Sequence, residues 1–208
     1  MKKLTLIAMM VALLAMVMTA GASLYPIGSI PDGNPVGVSF TGNYDQVTPG
    51  ATVSGLTVDL SISGGYNGNL YAYLVAPNGT MVLLLNQPGA TISNPFGYAG
   101  SGLNVTLSDT AAGSIQTTPE TAGSTFSGNY QAAGTLANFS GSVADGNWTL
   151  FFADETAGGG QAILNGWSLN ITAVPEPANL TLAIFGGVLV IIGGIRKFSY
   201  SRRANLPP

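Results

Sequence analysis

Between residues 24 and 173 the apolar side chains of this chain recur every second position, and no segment there sustains the 3.6-residue period of an amphipathic helix. Leu56, Val58, Leu60 and Ile62 alternate with Thr57, Asp59, Ser61 and Ser63. Leu70, Ala72 and Leu74 alternate with Tyr71, Tyr73 and Val75. Leu103, Val105 and Leu107, then Trp148, Leu150 and Phe152, then Trp167, Leu169 and Ile171 repeat the pattern. Val36, Val38 and Phe40 suggest a first strand, and Met81 to Leu85 is a continuous apolar run suited to a strand buried on both faces. Pro77-Asn78-Gly79 supplies a tight turn in which the glycine takes positive φ. Short strands at this spacing, separated by turn residues, predict an all-β fold, a jelly-roll-like antiparallel β-sandwich. Gln87 to Gly102 and Ala111 to Thr125 read as long loops, rich in Gly, Pro, Ser and Thr.

Charge restricts what such a sandwich can do. All six basic residues lie near the termini: Lys2, Lys3, Arg196, Lys197, Arg202 and Arg203. The segment 23–173 holds eight carboxylates and no cation, so nucleic acid and anionic lipid headgroups are excluded as its partners. Neutral glycans and bridging metal cations remain.

The absence of His and Cys excludes Ser-His-Asp and Cys-His catalysis and His- or Cys-built zinc sites, and no disulfide can staple the core. No phosphate loop is present; Gly158-Gly159-Gly160 lacks a following Lys. Paired carboxylates are the only catalytic chemistry left. Asp154 and Glu155, with Asp145 or Asp109, are the candidates for a glycosidase pair, set against the plainer reading of Asp154 as a strand-end cap and Glu155 as solvated.

A calcium site is the better expectation, because Ca²⁺ takes oxygen ligands from Asp and loop carbonyls and Asp109 and Asp154 fall at strand ends. Trp148 and Trp167 lie on the apolar phase of their strands and are expected in the core rather than on a sugar platform. Tyr66, Tyr71 and Tyr73 are the candidate ligand-binding aromatics, since Tyr71 and Tyr73 lie on the phase opposite Leu70, Ala72 and Leu74. Six Asn-x-Ser/Thr sequons, at Asn78, Asn104, Asn138, Asn147, Asn170 and Asn179, reflect a composition rich in those residues.

The ends of the chain point to export. Lys2 and Lys3, the apolar run Leu4 to Met18, and Ala20-Gly21-Ala22 make residues 1–22 a secretory signal peptide with a signal helix, and the mature chain is expected to begin near Ser23. At the other end come Val174, Pro175, Glu176 and Pro177, then residues 178–195, which are apolar but for Asn179, Thr181 and four glycines. Those 18 residues make a helix of about 27 Å, close to a bilayer core of roughly 30 Å, so a transmembrane helix is expected. The basic tail 196–208, with Arg196, Lys197, Arg202 and Arg203, stops transfer on the cytoplasmic side.

This motif, membrane run and basic tail, over residues 174–208, resembles the PEP-CTERM sorting signal of bacterial exported proteins. The resemblance implies an exosortase as partner, transient anchoring in the inner membrane, cleavage near the Pro-Glu-Pro motif, and release to the cell surface or an exopolysaccharide matrix.

A second resemblance covers most of residues 52–172. Tyr66-Asn67-Gly68-Asn69-Leu70, the following strand and Ala76-Pro77-Asn78-Gly79-Thr80 are similar to one half of the P domain (P/Homo B) of proprotein convertases. Gly146-Asn147-Trp148-Thr149-Leu150, Asp154 and Gly166-Trp167-Ser168-Leu169 are similar to the other half. The chain departs from the family's pattern at Asn69, where the family has Asp, and in lacking its His. The resemblance implies a jelly-roll module that stabilises or accompanies a protease domain, which this chain does not carry. The expected function is therefore a non-enzymatic, exopolysaccharide-associated envelope or matrix protein with a structural or interaction role. A carbohydrate-binding module and a carboxylate glycosidase are the rivals, and no cofactor beyond calcium is expected.

Overall fold

The computed structural model describes residues 18–19, 25–175 and 185. One compact unit, Val17–Val174, contains every described strand; the other, Met1–Met16 with Pro175–Pro208, falls almost wholly outside the described residues. The signal peptide 1–22 apart from Met18 and Thr19, the motif residues Glu176 and Pro177, the membrane segment 178–195 apart from Phe185, and Arg196, Lys197, Arg202 and Arg203 therefore lie outside them. Among the described residues no helix is long and apolar enough to cross a membrane.

Among the described residues eleven strands form two sheets. The larger follows the order β1-β11-β4-β7-β9-β8, with β2 also on β11; the smaller is β3-β10-β5-β6. In chain order these are β1 (Met18–Thr19), β2 (Gly28–Ile30), β3 (Asn34–Tyr44), β4 (Thr52–Ser63), β5 (Leu70–Val75), β6 (Met81–Asn86), β7 (Leu103–Leu107), β8 (Gly113–Ser114), β9 (Phe126–Gln131), β10 (Gly146–Asp154) and β11 (Ala162–Val174). Single 3₁₀ turns at Asn67–Asn69 and Leu136–Phe139 complete the described unit.

The alternation translates directly into burial. Leu56, Val58, Leu60 and Ile62 of β4, Leu103, Val105 and Leu107 of β7, and Trp167, Leu169 and Ile171 of β11 all face the core. Leu70, Ala72 and Leu74 of β5 and Trp148, Leu150 and Phe152 of β10 close it from the other side. Each tryptophan satisfies its single donor on a backbone carbonyl: Trp148 Nε1 donates to Ala144 O at 3.0 Å, and Trp167 Nε1 to Pro26 O at 2.9 Å. Phe139 meets Trp148 edge-on, with ring centroids 5.2 Å apart, so the 3₁₀ turn plugs one end of the core.

Three expectations are corrected. The sandwich is not wholly antiparallel, because β9 runs parallel to both β7 and β8. The segment between β7 and β9 is long enough to carry the chain back to the same end before the next strand starts, which a tight hairpin cannot do. Met81–Leu85 is not buried on both faces: Met81 is 59% exposed, and only Val82, Leu84 and Leu85 are buried. The register jumps from Ala72↔Leu85 to Tyr73↔Leu83, so Leu84 forms a bulge that turns two consecutive leucines inward on an edge strand. In β3 Phe40 is buried and the partly buried Val38 packs against the core, but Val36 is 81% exposed, and β2 precedes it with the buried Ile30.

Candidate functional site: an aromatic sheet face and a buried carboxyl corner

The outer face of the smaller sheet carries a run of aromatic rings. In the register of β10, Phe151 lies opposite Tyr73 of β5 and Ser39 of β3, and Tyr73 lies opposite Leu83 of β6. Strand alternation turns Tyr71, Tyr73 and Phe151 away from the core, and each is half-buried. Tyr73 stacks on Phe151 with centroids 4.6 Å apart and planes 13° off parallel, and Tyr71 meets Tyr73 edge-on at 6.1 Å. One row along, Thr41 Oγ1 and Thr149 Oγ1 share a hydrogen bond of 2.8 Å, placing hydroxyls beside the rings.

Of the three predicted tyrosines, two share this face. Tyr66 does not; it precedes the 3₁₀ turn, is 41% exposed, and packs over Gly159. Phe151 was not among the sequence candidates, yet its signal was legible: it is an aromatic on the outward phase of the strand whose inward phase holds Trp148, Leu150 and Phe152.

The carboxylates are dispersed. Asp109 accepts the Leu136 amide at 2.8 Å on Oδ1 and the Ala137 amide at 2.7 Å on Oδ2, capping the Leu136–Phe139 turn with both oxygens. Asp154 lies at the opposite end of the sandwich, where the last residue of β10 meets Leu70 and Asn34. It is fully buried, and burial raises its carboxyl above the ordinary range, against which the Thr156 and Gly33 amides and the Asn69 side chain pull it back while Asp32 pushes it further up. Its Oδ1 accepts the Thr156 amide at 3.3 Å, while Oδ2 is buried and meets no donor. The two aspartates predicted to bind calcium are thus not brought together, and each is engaged by backbone amides.

Asp145 precedes β10 and Asp154 ends it, nine residues of strand or about 30 Å away, far beyond the roughly 5–10 Å of a glycosidase pair. Asp145 accepts the Gly50 amide at 3.0 Å, and Glu155 is exposed. Asp59, on the outer face of the larger sheet, ties three strands: it accepts Thr106 Oγ1 at 2.6 Å, Ser168 Oγ at 3.0 Å and Asn170 Nδ2 at 2.9 Å. Among the described residues no three acidic side chains are grouped so that they could hold a metal ion.

A different corner holds unsatisfied oxygens. Asn67, fully buried in the first 3₁₀ turn, donates from Nδ2 to Gly102 O at 3.0 Å and to Glu120 Oε2 at 2.7 Å. Asn67 Oδ1 and Glu120 Oε1 are both buried and meet no donor. Burial raises the Glu120 carboxyl, and the Asn67 hydrogen bond opposes the rise. This corner is sealed by both predicted loops, through Asn67 N to Gly100 O at 2.9 Å, Gly123 N to Ala99 O at 2.8 Å, and Ser101 N to Ser124 O at 2.9 Å. Sequence reasoning missed it, because Asn67 and Glu120 are 53 residues apart and lie in turn and loop.

Of the predicted sorting residues, Val174 ends β11 with 39% exposure and Pro175 follows it.

The family model of the proprotein convertase P-domain matches residues 53–171, more than half of the chain. Two crystal structures from Aeromonas sobria are similar. One is a serine protease, at 17% identity over 76% of this chain and 27% of that one, with a TM-score of 0.48. The other is the same organism's serine protease in complex with the chaperone ORF2, at 16% identity over 81% and 30%, with a TM-score of 0.45. The chain thus spans less than a third of the length of those proteases. No curated protein matches.

Proposed function

We propose that this chain, which belongs to the proprotein convertase P-domain family, is an exported and exosortase-processed envelope or matrix protein whose sandwich is a non-catalytic binding module for neutral exopolysaccharide. The observation that carries the binding half is the run Tyr71–Tyr73–Phe151 on the outer face of a domain with no cationic side chain between Lys3 and Arg196. Aromatic faces flanked by hydroxyls suit the apolar faces and hydroxyl edges of sugar rings. Polyanions are repelled by eight carboxylates that nothing in the domain neutralises. The family's jelly-roll topology is the reading adopted for the sandwich, and a glycosidase role is disfavoured by the dispersal of its carboxylates.

The export half rests on the sequence of the two ends. The PEP-CTERM-like tail holds the chain in the inner membrane until an exosortase cuts near Pro175–Pro177, after which the sandwich reaches the surface or matrix. Intact-mass measurement of the cell-surface form tests it. The expected mass lacks both the segment before about Ser23 and everything after about Pro177. A surface form still carrying Arg202 and Arg203 would show an ordinary membrane anchor instead.

A further inference from the structure

We propose that Glu120 stays a neutral carboxylic acid in the folded protein, paired with Asn67 through two hydrogen bonds, and that this pair is a pH-operated latch holding both long loops on the Asn67–Asn69 turn. The inference is independent of the exopolysaccharide reading and concerns the end of the sandwich rather than its outer face.

The argument begins with donor counting. Asn67 Nδ2 spends both hydrogens, one on Gly102 O at 3.0 Å and one on Glu120 Oε2 at 2.7 Å. Turning the carboxamide over would set Oδ1 against the Gly102 carbonyl, so the network fixes its orientation. One oxygen on each partner is left over: Asn67 Oδ1 and Glu120 Oε1 are buried and meet no donor. A protonated carboxyl and a carboxamide are complementary, each offering a donor and an acceptor. A single proton on Oε1, donated to Oδ1, closes a second bond and satisfies both oxygens. An ionised Glu120 leaves both unsatisfied and buries a charge.

No counter-charge favours the ionised form, since residues 4–195 hold no Lys, Arg or His. Glu120 is the one titratable residue in 111–125, and segment 87–102 and the turn add only Tyr98 and the flanking Tyr66, which pack over Gly89 and Gly159. Across the turn Asp154 is bonded toward Asn69, and Glu155 is exposed. Burial accordingly raises the Glu120 carboxyl, opposed only by the bond from Asn67. Gly100 closes over the pair: a Cβ there would overlap Glu120 Oε2 and lie 2.8 Å from Asn67 Nδ2.

The pair sits where the loops meet. Asn67 N to Gly100 O and Gly68 N to Tyr98 O, both 2.9 Å, tie segment 87–102 to the turn. Among the described residues Glu120 is the only member of 111–125 that hydrogen-bonds the turn. As pH rises through the raised range of Glu120 its proton leaves to water, the second bond is lost, and the carboxylate is better solvated outside. The latch is therefore closed on the acid side and opens on the alkaline side.

The test is limited proteolysis of the full-length chain at about pH 5 and about pH 9, with each variant compared with the parent at the same pH. In Glu120→Gln the carboxamide reproduces the neutral acid, accepting from Asn67 Nδ2 and donating to Oδ1 without a titrating proton. Parent and Glu120→Gln are expected to be cut alike within residues 87–125 at the lower pH. At the higher pH the parent is expected to be cut at least about tenfold faster than Glu120→Gln, since each pH unit above the folded value shifts opening up to tenfold. Glu120→Ala, with no latch, is expected to be cut fast at both. Equal cleavage of parent and Glu120→Gln at the higher pH, or a Glu120→Gln as labile as Glu120→Ala, would overturn the latch. Carbon-13 NMR titration of the parent needs no variant: one of its three glutamate carboxyls, Glu120, Glu155 and Glu176, is expected to titrate above the ordinary range. Three ordinary titrations would equally overturn it.

Discussion

At the scale of single residues, two buried carboxyls, Glu120 and Asp154, set how stability responds to pH. Burial raises both above the ordinary carboxylate range, so the folded state holds their protons more tightly than the unfolded chain does. In the interval that begins at the ordinary range and extends upward, the unfolded state binds fewer protons, and stability falls as pH rises. The protein is therefore expected to melt higher near about pH 5 than near about pH 7.5. The double variant Glu120→Gln/Asp154→Asn should flatten that slope, and an unchanged slope would assign it to other groups. The sequence revealed the inward phase of Trp148 and Trp167 because periodicity is local. It did not reveal Asn67 with Glu120, because that contact depends on how two loops fold over a turn.

Secondary structure elements were largely legible, since β4, β5, β7, β10 and β11 each wrote their buried face into alternate positions. What escaped was pairing. Nothing local in β9 (FSGNYQ) announces that it joins β7 in parallel, and the Leu84 bulge hides within an unbroken apolar run. The segment before β2 acts as a strap. Tyr25 stacks on Trp167 with centroids 4.3 Å apart, and its ring lies directly over Gly42 of β3, so it joins the two sheets. A Cβ at residue 42 would overlap that ring. Gly42→Ala should accordingly cost about 1–3 kcal/mol, as other overpacked cores do, measured as a lower chemical-denaturation midpoint at constant slope. An unchanged midpoint would mean that the strap shifts freely and does not tie the sheets.

As a whole molecule, the chain is a P-domain sandwich without disulfides, framed by ends that read as export and sorting segments. The family was recognisable from two short motifs because both shape the fold: one builds the 3₁₀ turn and β5, the other the β10 and β11 tryptophans. The aromatic face proposed to bind glycan was only half legible, since Tyr71 and Tyr73 need Phe151 from a distant strand to complete the ring stack. That face is the centre of the account. The most direct measurement is titration of the processed protein with the neutral exopolysaccharide of the cells that produce it, comparing the parent with Tyr73→Ala and Phe151→Ala at matched melting temperature. The account predicts saturable binding without turnover, weakened at least about tenfold by either substitution, or roughly 1.4 kcal/mol. Binding that survives both substitutions, or release of shortened glycan, would contradict it.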